Sequence, residues 1–127
     1  MIVLDTSFVA KLLMREVSIN VCNASEYFIT SDLFDYEIAN VLWKIARYQN
    51  LSKTEIMPLF QAIDSLSIRR EKTEPHRLFL CALETGLSAY DSAYFLLAQK
   101  CKCPLATFDR KLAEVAQSAG IKIFNYE

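Results

Sequence analysis

Apolar residues in this chain recur with two different periods, and the switch between them marks out its elements. Unbroken runs over Ile2 to Leu4, Tyr27 to Thr30, Leu105 to Phe108 and Ile121 to Phe124 read as buried strands, with Ser67 to Arg70 as a shorter one. Elsewhere the spacing lengthens to that of a helix. Ile38, Val41, Leu42 and Ile45 stand at i, i+3, i+4 and i+7 in a helix that Ser31 and Asp32 can cap and that ends near Gln49-Asn50. Ser52-Lys53-Thr54-Glu55 is a capping box opening a further helix to about Leu66. Helices are also expected over Ser7 to Leu13, Val17 to Ala24, Glu74 to Thr85 (stopped by Gly86), Ser88 to Lys100 with Ala89, Ala93, Leu96 and Leu97 inward, and Arg110 to Ser118. Strands alternating with helices predict an α/β fold: one domain over residues 1–127, a doubly wound parallel five-stranded sheet with helices on both faces.

Composition narrows the function. The chain is 53% hydrophobic, yet no apolar run approaches the roughly 18 residues of a membrane span, so the surplus belongs on an interaction surface. Trp43, Tyr48, Met57, Leu59 and Phe60, on the two middle helices, exceed what one internal stripe can use. Met1 leads straight into a strand without the features of a signal peptide, and a cytoplasmic protein without a membrane partner is expected. With only two glycines, Gly86 and Gly120, the chain has neither a Walker loop nor a G-x-G-x-x-G turn. Cys22, Cys81, Cys101 and Cys103 lack paired C-x-x-C spacing, and the single histidine, His76, reads as a surface residue, which argues against structural zinc. Whether Cys101 or Cys103 forms a disulfide stays open.

Four acids carry the chemistry. Asp5 closes the first strand and Asp109 follows another, so both project from carboxyl ends of parallel strands, where open α/β sheets bind ligands. Glu37 and Asp91 fall in first turns of helices. Each has a structural reading of its own: Asp5 and Asp109 can be N-caps, Asp91 can close a capping box with Ser88, and Glu37 suits the helix macrodipole. Those readings do not require one shared sheet edge, whereas a site for a hard divalent cation does. Setting the four aside turns a formal net charge of −1 into a basic excess elsewhere, with Lys44, Arg47, Arg69, Arg70, Lys72, Arg110 and Lys111 as candidate phosphate contacts.

The hydrophobic-Asp5-Thr6-Ser7 opening, Tyr36-Glu37-Ile38-Ala39-Asn40, Tyr90-Asp91-Ser92-Ala93-Tyr94 and Thr107-Phe108-Asp109-Arg110-Lys111-Leu112 together resemble a PIN domain. Their order and separations are similar to those of small VapC-type toxins of toxin–antitoxin pairs, across essentially the whole chain. The resemblance implies Mg²⁺ or Mn²⁺ held by Asp5, Glu37, Asp91 and Asp109, with Thr6, Ser7 and Thr107 as supporting polar groups. It also implies metal-dependent endoribonuclease activity on RNA, a homodimer, and a cognate antitoxin that blocks the active site. Aromatic side chains such as Tyr36, Tyr90 and Phe108 could stack exposed bases, and Arg69, Arg70, Lys72, Arg110 and Lys111 could hold phosphates. Two other classes compete: a non-catalytic α/β interaction module, and an aspartyl-phosphate phosphatase, whose companion Asp is here replaced by Ser7.

Overall fold

Alternate residues of the first strand enter opposite faces of the sheet, and both faces are buried. Ile2 and Leu4 join one apolar cluster and Val3 joins the other, so the run carries no polar alternation. The computed structural model describes residues 1–14 and 27–124; the helix expected over Val17 to Ala24 and Cys22 lie outside the described residues. β1 (Ile2–Leu4), β2 (Phe28–Ser31), β3 (Arg69–Glu71) and β4 (Leu105–Ala106) pair in the order β3-β2-β1-β4, every pair parallel.

The helices divide between the two faces. α1 (Thr6–Leu13), α2 (Phe34–Tyr48) and α3 (Lys53–Ser65) bring Phe8, Phe34, Ile38, Leu42 and Ile63 over Ile2 and Leu4. On the other face α4 (Pro75–Thr85), α5 (Ala89–Cys101) and α6 (Arg110–Ser118) bring Cys81, Tyr94, Leu97 and Leu112 over Val3, Ile29 and Leu105. This is the doubly wound arrangement that the alternation of periods predicts.

Several boundaries differ from expectation, each for a hydrogen-bonding reason. Among the described residues the sheet has four strands, and the expected fifth is a single parallel bridge between Leu105 and Ile123. The Ile121 N–H donates to Ala116 O at the end of α6, so it cannot extend that ladder backwards. β4 stops at Ala106 because the next backbone donors turn to side chains: Phe108 N–H donates to Ser7 Oγ and Asp109 N–H to Thr107 Oγ1. α2 begins at Phe34, with Leu33 rather than Ser31 or Asp32 at its N-cap. The Asp32 carboxylate instead accepts from the N–H and hydroxyl of Thr73, tying β2 to the segment after β3.

α5 departs most from its expected face. Ala89 is exposed, while Ser92, Ala93, Tyr94, Phe95, Leu97 and Ala98 are all buried. The helix is wedged between α4, α6 and the sheet, so it shows no single apolar stripe. Other signals hold as read: Ser52 and Glu55 close the capping box, Gly86 ends α4 in the left-handed conformation at φ 76°, and His76 is exposed. Cys101 and Cys103 are both free thiols.

Candidate active site

Because all four strands are parallel, their carboxyl ends share one edge, and the loops leaving it carry the acids. Asp5 is the first residue past β1 and the N-cap of α1. Its Oδ1 accepts from the Phe8 N–H at 2.9 Å and the Ser7 hydroxyl at 2.7 Å, and its Oδ2 accepts from the Thr107 hydroxyl. The residue is only 3% exposed. Burial pushes its pKa from 3.8 up to about 6, outweighing the lowering by hydrogen bonds from Thr107, Phe8 and Ser7, and the Asp91 charge adds to the rise.

Glu37, in the first turn of α2, accepts on Oε1 from the Tyr94 hydroxyl at 2.5 Å and from Thr6 at 3.3 Å. Asp91 is half-buried near the start of α5. Its N–H donates to Ser88 Oγ at 3.0 Å, but the return bond from the Ser88 N–H, which completes the box in α3, is not formed here. Burial is the main cause that raises the Asp91 pKa; the charges of Asp109 and Glu37 raise it further, against Ser88 and Lys111. Asp109 caps α6 through Oδ1, which accepts from the Leu112 N–H at 2.8 Å. The capping readings of Asp5 and Asp109 therefore hold, yet each cap uses one carboxylate oxygen. All four acids belong to one electrostatic neighbourhood, linked through Asp91.

Charge and donor type in this neighbourhood fit a hard divalent cation: the oxygens come from carboxylates, and the charges of Asp109 and Glu37 raise the Asp91 pKa as that of Asp91 raises the Asp5 pKa, a repulsion that a cation relieves. Among the described residues, no three acidic, histidine or cysteine side chains are already set at metal-holding distance.

The sequence model of the PIN domain matches residues 2–118. The chain belongs to the PIN domain family. Over 121 residues it is 33% identical to Ribonuclease VapC3 of Pyrobaculum aerophilum, covering 89% of this chain and 92% of that one. Ribonuclease VapC9 of Mycobacterium tuberculosis is 28% identical over 118 residues, covering 93% of each chain. Among solved structures, PAE2754 from Pyrobaculum aerophilum superposes with a TM-score of 0.73 at 25% identity, covering 90% of this chain and 83% of that one.

The basic side chains of this PIN domain divide into engaged and looser ones. Arg70 forks onto Asp35, at 2.9 and 3.3 Å, and lies over the Phe34 ring, which engages it more firmly than the other candidate phosphate contacts. Arg69 pairs with Glu71 at 3.0 Å and Arg110 with Glu114 at 3.4 Å, both on the surface, where such pairs hold weakly. Lys111 Nζ donates to Gly86 O at 2.6 Å and lowers the Asp91 pKa, which puts it beside the acids; Lys72 is exposed.

Exposed apolar surface appears where expected and also where it was not. Trp43, Tyr48 and Met57 are exposed, but Leu59 and Phe60 pack against the core. Phe79, Leu80 and Leu83 on α4 form a second exposed apolar group. Sequence reading also passed over Tyr94, whose hydroxyl joins Glu37 and Thr6. Its signal was a polar-tipped aromatic at i+3 from Asp91, one turn along the same helix side.

Proposed function

We propose that this PIN domain is a metal-dependent endoribonuclease of the VapC type, the toxin of a toxin–antitoxin pair, with Asp5, Glu37, Asp91 and Asp109 holding Mg²⁺ or Mn²⁺. The observation that carries the reading is the gathering of these four carboxylates at the strand-end edge, where Asp91 feels the charges of Asp109 and Glu37 and acts in turn on Asp5, in a chain similar over nearly its whole length to a VapC ribonuclease. The bound cation would supply an activated water for in-line attack at phosphorus and neutralise charge on the leaving oxygen. Asp5, locked by three donors, offers a carboxylate that cannot rotate away. Asp91 brings a carboxylate that no completed capping box holds back. Ser7, in the first turn of α1, and Thr107, in the loop after β4, support Asp5, and Thr6 supports Glu37.

RNA would lie across this edge with its phosphates near Lys111, Lys72, Arg110 and Arg69, and with exposed Tyr36 and Tyr90 available for stacking. The reading includes a cognate antitoxin over the active site. It also includes a homodimer, which the exposed apolar groups on α2 and α4 support. The test is cleavage of single-stranded RNA with EDTA, with Mg²⁺ and with Mn²⁺, beside a DNA strand of the same sequence. Cleavage of RNA that EDTA abolishes and either ion restores is the expected result; RNA left intact with both ions present rejects the reading.

A further inference from the structure

We infer that Tyr94, aided by Thr6, is a positioning residue that fixes the Glu37 carboxylate by its Oε1 and leaves Oε2 to face a bound divalent cation. The inference rests on the proposed metal role of Glu37 and goes beyond it by assigning a role to a residue outside the acid set. Tyr94 belongs to α5, on the opposite face of the sheet from α2, and is 1% exposed. Its ring packs in the apolar cluster with Val3, Ile29 and Leu105, yet its hydroxyl reaches the carboxyl edge. There it donates to Glu37 Oε1 at 2.5 Å and stands 2.9 Å from Thr6 Oγ1.

Counting protons orders these contacts. Three oxygens, those of Thr6, Tyr94 and Glu37, share two hydroxyl protons, because the carboxylate brings none. The Tyr94 proton goes to Glu37. The Thr6 proton has two acceptors, Tyr94 at 2.9 Å and Glu37 at 3.3 Å, and the shorter contact makes a relay from Thr6 through Tyr94 to Glu37. Each bond in such a chain strengthens the next.

Both hydroxyls approach Glu37 at Oε1, and among the described residues Oε2 has no hydrogen-bond partner. A carboxylate pinned by one oxygen can present the other in a single direction. Without the relay, the Glu37 side chain could turn about its own axis and lose that aim. Partners of this kind behind a metal ligand are worth about 10- to 100-fold in metal affinity.

The experiment is Mn²⁺ binding to the RNA-free protein, read from the electron paramagnetic resonance of free Mn²⁺, on the full chain. Tyr94→Phe should weaken binding about 10- to 100-fold in the wild-type background. In a Glu37→Gln background the same change should have no further effect, because the group being positioned is gone. A purely structural Tyr94 would lower affinity equally in both backgrounds, and that result overturns the inference, as does Tyr94→Phe binding within twofold of wild type. Thr6→Val cuts the relay one step earlier and should show the same background dependence in smaller measure, which supplies the test if Tyr94→Phe does not fold. Asp5→Asn separates this failure from that of the metal site. If wild type binds no Mn²⁺, or binds it no better than Asp5→Asn, the proposed metal site and the inference fall together; if Asp5→Asn alone loses binding, only the inference falls.

Discussion

Replacing Asp5 by Asn should stabilise the metal-free protein at neutral pH. The side chain is 3% exposed, and folding raises its pKa from 3.8 to about 6. With the folded-state value above the unfolded one, the folded state holds the extra proton between the two. Stability from this group is thus fully present below pH 3.8 and is lost as pH rises through about 6. At about 1.4 kcal/mol for each pKa unit, keeping Asp5 ionised at pH 7.5 costs the fold on the order of 3 kcal/mol. Asn is neutral and close in shape, and its Oδ1 can keep the Phe8 and Ser7 bonds. Its amide would meet Thr107, whose hydroxyl now donates to Asp5, and losing that bond costs about 1 kcal/mol. The net gain is about 2 kcal/mol, roughly 8 °C in melting temperature for a chain of this size. Thermal melts in EDTA at pH 7.5 and pH 4 provide the assay. The variant should melt higher at pH 7.5, and the advantage should vanish at pH 4. Added Mn²⁺ should raise the wild type more than the variant, since only the wild type keeps the ligand. A variant that melts below wild type at pH 7.5, or a gap that ignores pH, would mean that the ionised Asp5 does not burden the fold.

Arg70→Met should lower stability by about 1 kcal/mol, through loss of the fork onto Asp35, while leaving RNA affinity and its salt slope unchanged; a flatter salt slope would return Arg70 to the RNA contacts. Lys72→Gln with Lys111→Gln should do the opposite, weakening RNA binding and reducing the salt slope by about two without shifting the melting temperature much. Sedimentation of Phe79→Ser with Leu83→Ser should show more monomer than wild type if the α4 face joins two copies, and an unchanged dimer would move that contact elsewhere.

The sequence made the architecture readable because its signals were local. Unbroken apolar runs ending in Asp5 and Asp109 announced buried parallel strands and the edge they share, and Gly86 and the Ser52–Glu55 box marked helix ends that local backbone chemistry settles. What stayed hidden depends on partners distant in sequence. Asp32 turned from helix capping to Thr73, 41 residues on. β4 was cut short by Ser7 and Thr107 side chains, and the fifth strand by the end of α6. α5 is covered on several sides, so its inward face had no period to read. The Tyr94 bond to Glu37 spans 57 residues and joins opposite layers, and no spacing rule reports such a pair.

Single-turnover RNA cleavage in Mn²⁺ by Asp5→Asn and Asp91→Asn shows whether these four carboxylates do the chemistry. Changing a group behind a metal ligand costs about 10- to 100-fold, so losing a ligand outright should cost more than about a hundredfold. Both variants should meanwhile melt, metal-free, at or above the wild-type temperature, because each relieves repulsion in the cluster. Cleavage by either variant at the wild-type rate, still abolished by EDTA, would mean that the nuclease works from a different site.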